Sequence, residues 1–240
     1  MYKVVLAGCG RISKNHIEAM SALKNEGRAE IVACCDIIPE RAIEAAMNIG
    51  GTCRSFGDYS MMLKETDCDL VSICTPSGLH PYQAAEAARA GRNILTEKPQ
   101  GCSLEACDMA IEAADKAGVK YMVVKQNRFN PGIQLLRRAY DAGRFGKIYM
   151  ILANVLWTRP QEYYDMAPWR GTYELDGGCL SNQAAHYVDM VQWFGGDIED
   201  VAAQFSTQKI KMEAEDAISV AIKFKSGCIG NINATVLTYP

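Results

Sequence analysis

The chain opens with a short apolar run, Lys3 to Ala7, that passes directly into Gly8-Cys9-Gly10-Arg11-Ile12-Ser13. A helical stretch follows, which gives the order of strand, glycine turn and helix typical of a dinucleotide-binding unit. Gly8 permits the tight turn, Gly10 lets the backbone approach a pyrophosphate, and the helix N-terminus offers free N–H groups to the phosphates. Ser13 replaces the usual third glycine and is small enough for close packing. Alone, the motif does not identify a function.

The next apolar run, Glu30 to Cys35, ends at Asp36. An acidic residue about 20 positions past the glycine turn typically hydrogen-bonds the hydroxyls of the adenosine ribose. A carboxylate there also repels a 2′-phosphate, so the sequence predicts NAD rather than NADP. The alternative role for Asp36 is that of a helix cap ahead of Pro39.

Strand-like and helical segments keep alternating as far as Val124. This alternation predicts an α/β fold, in which a doubly wound parallel sheet has all its strand ends at one edge. Ligands bind at that edge. We therefore expect a group of residues that are distant in sequence to be neighbours there, namely the glycine turn, Asp36, Thr75-Pro76, Lys98 and Gln126.

The segment Thr96-Glu97-Lys98-Pro99 follows the apolar run Asn93 to Leu95 and stands at one of these strand ends. A lysine that is partly withdrawn from water can lose its proton near neutral pH, which suits proton transfer. On the tetrapeptide alone, the alternative is a surface salt bridge between Glu97 and Lys98. The neighbouring motifs favour a role in the site.

The pattern changes after Gln126, which predicts a second, α+β domain. We expect domains at 1–124 and 125–240, the second with a mainly antiparallel open sheet. Its predicted elements are a helix over 132–142, a strand over 147–157, a long loop over 158–178, a helix over 180–194, and strands over 201–206, 217–225 and 228–239.

Aromatic and arginine side chains are concentrated in the long loop of this second half. Together they suit a sugar or a phosphate-bearing ligand, and they are Arg159, Tyr163, Tyr164, Trp169 and Arg170. Asn182 and His186 are four residues apart and share a face of the following predicted helix. Both are candidates for contact with a substrate, although a lone histidine on such a helix often has a structural role.

Composition excludes several other classes of protein. The net charge of −3 and the pI near 5.7 argue against a nucleic-acid partner. No apolar run reaches the ~18 residues of a membrane span, and the N-terminus does not have the form of a signal peptide. The 10 cysteines are scattered without Cys-x-x-Cys pairs, so we expect no metal site and a reducing, cytoplasmic location.

These motifs together resemble the Gfo/Idh/MocA family of NAD(P)-dependent sugar oxidoreductases over the whole chain. The resemblance rests on Gly8-Cys9-Gly10-Arg11-Ile12, Thr75-Pro76 with His80, Glu97-Lys98-Pro99, Arg128-Phe129-Asn130-Pro131, Trp169-Arg170, and Asp176-Gly177-Gly178 followed by Asn182 and His186. Within the family, the segments around Arg159 and Asn182 look most like the branch that oxidises UDP-N-acetylglucosaminuronate at C3. That branch serves the synthesis of bacterial surface polysaccharides.

The resemblance also implies roles for single residues. Lys98, with a cis bond to Pro99, and His186 match the catalytic residues of the family. The implied substrate-binding residues are Arg159, Tyr163, Tyr164, Asn182 and Gln183. The implied cofactor-binding residues are Gly8, Gly10, Arg11, Ile12, Asp36, Thr75, Pro76, His80, Glu97, Lys98, Gln126, Trp169 and Arg170, of which Trp169 and Arg170 reach NAD from the second domain.

Two features depart from the family pattern. Asn182 stands where the family often has aspartate, and asparagine cannot accept a proton. The chain is also shorter than most members, as if the second sheet were truncated. Two alternative functions therefore stay open: a dehydrogenase of another sugar, inositol or diol, and a non-catalytic binder of NAD or a nucleotide sugar. We also expect a homodimer or homotetramer, because the family pairs such sheets between subunits.

Overall fold

The computed structural model describes residues Met1 to Tyr239. The chain forms two compact units, Met1–Val124 and the residues from Lys125 onward. Each unit has a sheet of its own, with six strands in the first and four in the second.

The first unit is a parallel sheet with helices on both faces. Its strands are β1 (Tyr2–Ala7), β2 (Ala29–Cys35), β3 (Arg54–Phe56), β4 (Leu70–Ile73), β5 (Asn93–Thr96) and β6 (Tyr121–Val123). Its helices are α1 (Ser13–Asn25), α2 (Pro39–Ile49), α3 (Tyr59–Glu65), α4 (His80–Arg89) and α5 (Leu104–Ala117). The strands are all parallel in the order β3-β2-β1-β4-β5-β6, which is that of a Rossmann fold. The predicted doubly wound sheet is confirmed.

The central strand β1 is buried on both faces of this sheet. Val5 and Ala7 belong to one core cluster, whereas Val4 and Leu6 belong to the other. All four residues are at most 1% exposed. Because helices cover both faces, the strand is apolar from Val4 to Ala7 instead of alternating with polar residues.

The strand order reverses at β1, which pairs with β2 on one side and with β4 on the other. In a doubly wound sheet, such a reversal opens a crevice at the carboxyl ends of the strands. The turns that follow β1, β2, β4 and β5 therefore lie at this edge. They contain the glycine turn, Asp36, Thr75-Pro76 and Lys98.

The second unit packs helices against one face of a mixed sheet. Its strands are β7 (Met150–Leu156), β8 (Ile198–Ser206), β9 (Ala217–Phe224) and β10 (Ile229–Thr235), and its helices are α6 (Pro131–Asp141), α7 (Gln161–Asp165) and α8 (Ala185–Gly195). The strand order is β7-β10-β9-β8. Strands β8, β9 and β10 pair antiparallel, while β10 pairs parallel with β7. The predicted α+β unit with a mainly antiparallel sheet is confirmed.

The two faces of this second sheet differ in polarity. Val220, Ile222 and Phe224 of β9 point inward and pack in one cluster with Val191 of α8. The residues between them, such as Lys223, are exposed on the outer face. The outer face of β9 therefore carries small or charged side chains, namely Ser219, Ala221 and Lys223.

The structure differs from the predicted elements in three places. Helix α7, Gln161–Asp165, lies within the segment predicted as a long loop over 158–178. The predicted helix over 180–194 is divided into a π-helical turn, Cys179–Gln183, and α8, which begins at Ala185. The elements β3 and α3 are additional. They have only 3 and 7 residues, which is too short to show a clear hydrophobic period.

Candidate active site

The glycine turn after β1 is built for close approach. Gly8 has φ +86°, and a Cβ added there would lie 2.7 Å from the backbone carbon and oxygen of Cys74. At Gly10 an added Cβ would meet open space, because apart from its chain neighbours no atom of the described residues lies within 4 Å. Ser13 closes the turn, since its hydroxyl donates to the Gly10 carbonyl at 2.6 Å. The open side of Gly10 and the start of α1 fit a pyrophosphate.

Asp36 ties this turn to the end of β2. Its Oδ2 accepts a hydrogen bond from the Cys9 N–H at 2.8 Å, and its Oδ1 accepts one from the Ile38 N–H at 2.9 Å. The N-cap position of α2 belongs to Ile38, so Asp36 is not the cap residue of that helix. A carboxylate has about four acceptor sites. Asp36 therefore keeps acceptor capacity for ribose hydroxyls, which fits NAD.

The other two glycine-turn candidates differ in their exposure. Arg11 is exposed, while Ile12 is partly buried and packs against the core cluster beneath the turn. Their predicted contacts with the cofactor stay predictions.

His80 braces two of the turns at the sheet edge. It is only 1% exposed. Its Nε2 lies 2.8 Å from the Thr75 carbonyl oxygen, and its Nδ1 lies 2.8 Å from the Pro99 carbonyl oxygen. Burial lowers the pKa of His80, although its two carbonyl partners act in the opposite direction. These contacts place His80 behind the turns as a positioning residue, and its predicted direct contact with the cofactor stays a prediction.

The turn that contains Lys98 rests on a buried carboxylate. Glu97 is 6% exposed, so the alternative of a surface salt bridge does not apply. Its Oε2 accepts the Lys98 N–H at 3.0 Å, and its Oε1 lies 3.0 Å from His16 Nε2. Burial acts to raise the pKa of Glu97, but the hydrogen bonds from His16 and Lys98 and their charges hold it below its ordinary value. The Lys98–Pro99 peptide bond is cis.

In the second unit, His186 lies in the first turn of α8, beside the 3₁₀ turn Gln126–Phe129. The side-chain nitrogen of Gln126 lies 3.2 Å from His186 Nε2. The turn itself is held on α8 by Arg128, whose Nε and Nη2 donate to the two oxygens of Asp189 at 2.8 and 2.7 Å. This fork fixes the backbone that places Gln126 next to His186.

Asn182 lies in the π-helical turn and contacts the carboxylate of Asp176 through its side-chain amide. Asp176 is 1% exposed and accepts the Gly171 N–H at 2.7 Å. At Gly178, an added Cβ would overlap the carboxylate of Glu215. The Asp176-Gly177-Gly178 segment therefore anchors the turn that presents Asn182.

An arginine and aromatic cluster lies in the same unit. The guanidinium carbons of Arg159 and Arg170 lie 5.4 and 4.3 Å from the ring centre of Tyr163, and Arg170 also stacks on Trp169 at 4.7 Å. Gln183 contacts Arg159 Nε at 3.1 Å and the Tyr163 hydroxyl at 3.2 Å. Two cations on one ring form a candidate site for an anionic ligand.

Tyr164 differs from the other members of the predicted substrate set. It is 6% exposed and lies in the core of the second unit. Burial raises the pKa of its phenol. This position favours a structural role, and its contact with a substrate stays a prediction.

Sequence reasoning did not assign His16, Ser72 or Asp189. His16 could have been noticed as a polar residue one turn into α1 on its buried side, and Asp189 as the residue one turn after His186. Over residues 1 to 239, no group of three or more His, Cys, Asp or Glu side chains is arranged to hold a metal ion. Within the same residues, none of the helices has the length and apolar character needed to cross a membrane.

Each of the two units matches the model of a protein family. The family described as an oxidoreductase family with an NAD-binding Rossmann fold matches residues 2–125. The GFO/IDH/MocA C-terminal domain matches residues 133–240. The predicted NAD-binding unit is confirmed.

Among solved structures, the chain is similar to the WlbA dehydrogenase of Bordetella pertussis in complex with NADH and UDP-GlcNAcA. The two are 47% identical with a TM-score of 0.95, over 100% of this chain and 72% of that one. The WlbA dehydrogenase of Chromobacterium violaceum, in a complex with the same two ligands, is 46% identical with a TM-score of 0.95, over 100% of this chain and 68% of that one.

A curated relative, D-apiose dehydrogenase of Paraburkholderia graminis, is 29% identical over 94% of this chain. The chain spans 58% of the length of that relative.

Proposed function

Because the chain belongs to the Gfo/Idh/MocA family of oxidoreductases, we propose that it acts as an NAD-dependent dehydrogenase on a UDP-linked sugar. The proposed reaction oxidises the C3 hydroxyl of a UDP-N-acetylhexosaminuronate, as a step in the synthesis of a surface polysaccharide. Support comes from two relatives of near-half identity that were solved with NADH and UDP-GlcNAcA.

The observation that carries the substrate class is the pair of arginines on Tyr163. Arg159 and Arg170 lie 5.4 and 4.3 Å from the ring centre. A UDP-linked uronate bears a diphosphate and a carboxylate, and guanidinium groups bind both of these in a bidentate manner. A neutral free sugar would offer no anionic group to Arg159, whereas Arg170 is also assigned to NAD by the family resemblance.

We assign the transfer of the hydroxyl proton to side chains of the protein. When bound, NAD supplies the hydride acceptor. Lys98 and His186 are the proposed proton-transfer pair, in which one takes the hydroxyl proton and the other donates a hydrogen bond to the developing oxyanion. Gln126 holds the His186 ring through the 3.2 Å contact. Asn182 orients the hydroxyl, since an amide cannot act as the base.

Two substitutions test the catalytic assignment. Lys98→Met and His186→Asn are expected to lower kcat for NADH formation by at least about 100-fold each, the usual contribution of a general acid or base. Lys116→Met, on the exposed side of α5, is the matched control and should behave like the parent. If both site variants turn over UDP-GlcNAcA like the parent, the assignment is wrong.

A second candidate keeps the chemistry but changes the substrate to a free sugar, inositol or diol. It is favoured by the likeness to D-apiose dehydrogenase. If Arg159→Gln and Arg170→Gln turned over free sugars at the same rate as the parent, this second candidate would be supported. Tight binding of NADH without turnover of any sugar would instead support a non-catalytic binder.

We also propose that the second sheet pairs with its copy in a homodimer or homotetramer. Its outer face carries exposed apolar side chains at one edge, namely Met150, Leu152, Leu156 and Ile229 at 50–66% exposure. Leu152→Glu should then shift the mass measured by light scattering toward the monomer. A parent that is monomeric at micromolar concentration would contradict this assembly.

A further inference from the structure

Three buried side chains from different elements of the first unit form a continuous chain beneath Lys98. His16 comes from α1, Ser72 from β4 and Glu97 from the turn after β5. His16 Nδ1 lies 2.8 Å from Ser72 Oγ, and His16 Nε2 lies 3.0 Å from Glu97 Oε1. The three residues are 9%, 1% and 6% exposed.

Two arrangements of protons satisfy these hydrogen bonds. A neutral His16 accepts from the Ser72 hydroxyl at Nδ1, whereas a charged His16 donates from Nδ1 to Ser72 Oγ. In both arrangements the Nε2–H of His16 donates to Oε1 of Glu97. The Lys98 N–H then donates to Oε2 of Glu97 at 3.0 Å. Burying a carboxylate costs several kcal/mol unless hydrogen bonds compensate. His16 and the Lys98 backbone are therefore what makes a charged Glu97 tolerable in this position.

We propose that Ser72, His16 and Glu97 are a positioning relay, which holds the Lys98 turn and connects it to the helix that starts the cofactor site. Helix α1 begins at Ser13, directly after the glycine turn. His16 therefore lies one turn from the N-terminus of α1, the end that fits a pyrophosphate. Glu97 accepts the backbone N–H of Lys98 and places its negative charge beside the lysine. The kinetic consequence of the relay rests on the proposed function, whereas its structural consequence does not.

Paired substitutions separate positioning from simple stability. His16→Leu removes both hydrogen bonds, while His16→Gln keeps a side-chain N–H for Glu97. Glu97→Gln removes the charge, and Glu18→Gln on the exposed side of α1 is its control. We expect His16→Leu and Glu97→Gln to lower kcat about 10- to 100-fold, because small misplacements of a reacting group cost that much. The KM for the sugar should stay within about threefold, since the substrate-binding residues are unchanged.

A second readout does not depend on turnover. Hydrogen exchange of the Lys98 amide, measured in folded protein with and without NADH, should be at least about tenfold faster in His16→Leu than in the parent, because its acceptor is no longer fixed. His16→Gln should restore slow exchange together with most of kcat. If His16→Leu does not fold, Ser72→Ala tests the relay, with the same direction of change expected.

Two results would overturn the relay. One is a folded His16→Leu protein with the kcat and Lys98 exchange of the parent. The other is a His16→Gln protein as impaired as His16→Leu in both measurements. If the parent itself turns over no sugar, the proposed function fails, while the exchange measurement still decides on the relay.

Discussion

Replacing Gly8 by alanine combines two costs that the structure lets us separate. The backbone at Gly8 has φ +86°, and the new Cβ would lie 2.7 Å from backbone atoms of Cys74 and 2.8 Å from the Thr75 nitrogen. The left-handed conformation costs an L-residue roughly 1–2 kcal/mol, and overpacking against backbone adds about 1–3 kcal/mol. We therefore expect Gly8→Ala to lower the free energy of unfolding by about 2–5 kcal/mol.

Two other glycines provide matched controls. Gly27 has φ +68°, yet apart from its chain neighbours nothing in the described chain lies within 4 Å of its added Cβ. Gly27→Ala should therefore show only the conformational cost, roughly 1–2 kcal/mol. Gly10 lacks both costs, so the free energy of unfolding of Gly10→Ala should lie within about 0.5 kcal/mol of the parent value. Its methyl group would instead occupy the space for the pyrophosphate, and the Kd for NADH should rise at least about tenfold.

Urea denaturation followed by circular dichroism measures the three unfolding free energies, and isothermal titration measures the NADH affinity. The expected order of stability is parent, Gly10→Ala, Gly27→Ala and Gly8→Ala. The reasoning is refuted if Gly8→Ala is as stable as Gly27→Ala, because the backbone overlap would then be absent. It is equally refuted if Gly10→Ala binds NADH like the parent.

Three further predictions concern charged groups. Asp36→Asn removes the carboxylate that repels a 2′-phosphate, so the preference for NADH over NADPH, measured as a ratio of Kd values, should fall by about tenfold. Asp189→Asn weakens the fork from Arg128 and should lower the free energy of unfolding by about 2 kcal/mol, whereas Asp197→Asn in an exposed pair should change it by less than about 0.5 kcal/mol in the same urea titration. The folded-state pKa of Glu97 lies below its ordinary value of 4.5, so its ionisation stabilises the fold above that pH and the gain is lost as the pH falls through the folded pKa. The stability difference between the parent and Glu97→Gln should therefore shrink below pH 4.5, and a difference that grows instead would contradict the direction of the shift.

Local signals in the sequence were sufficient for the frame of the first unit. The glycine turn, Asp36 and the apolar strands each follow from short-range chemistry, because a parallel sheet covered on both faces needs uninterrupted apolar runs. The order of these runs then places Thr75 and Lys98 at the same edge as the glycine turn. This part of the candidate site could be located without coordinates.

Long-range pairings were not accessible in the same way. His16 and Glu97 are separated by 81 positions, and no local sequence pattern indicates that the two side chains form a hydrogen bond. The π-helical turn at Cys179–Gln183 also escaped prediction, since its sequence continues the helical pattern of α8. Its anchors, such as the bond from the Leu180 N–H to Glu215 at 2.9 Å, come from far along the chain. Tertiary contacts overrode the local pattern there.

The most direct test of the proposed activity follows one hydrogen atom. The enzyme is incubated with NAD and UDP-GlcNAcA that carries deuterium at C3, and the reduced cofactor is analysed by mass spectrometry. Oxidation at C3 by hydride transfer predicts deuterium in the reduced nicotinamide ring and a keto group at C3 of the sugar. Unlabelled NADH would place the oxidation at another carbon, and the absence of NADH would contradict a dehydrogenase acting on this substrate.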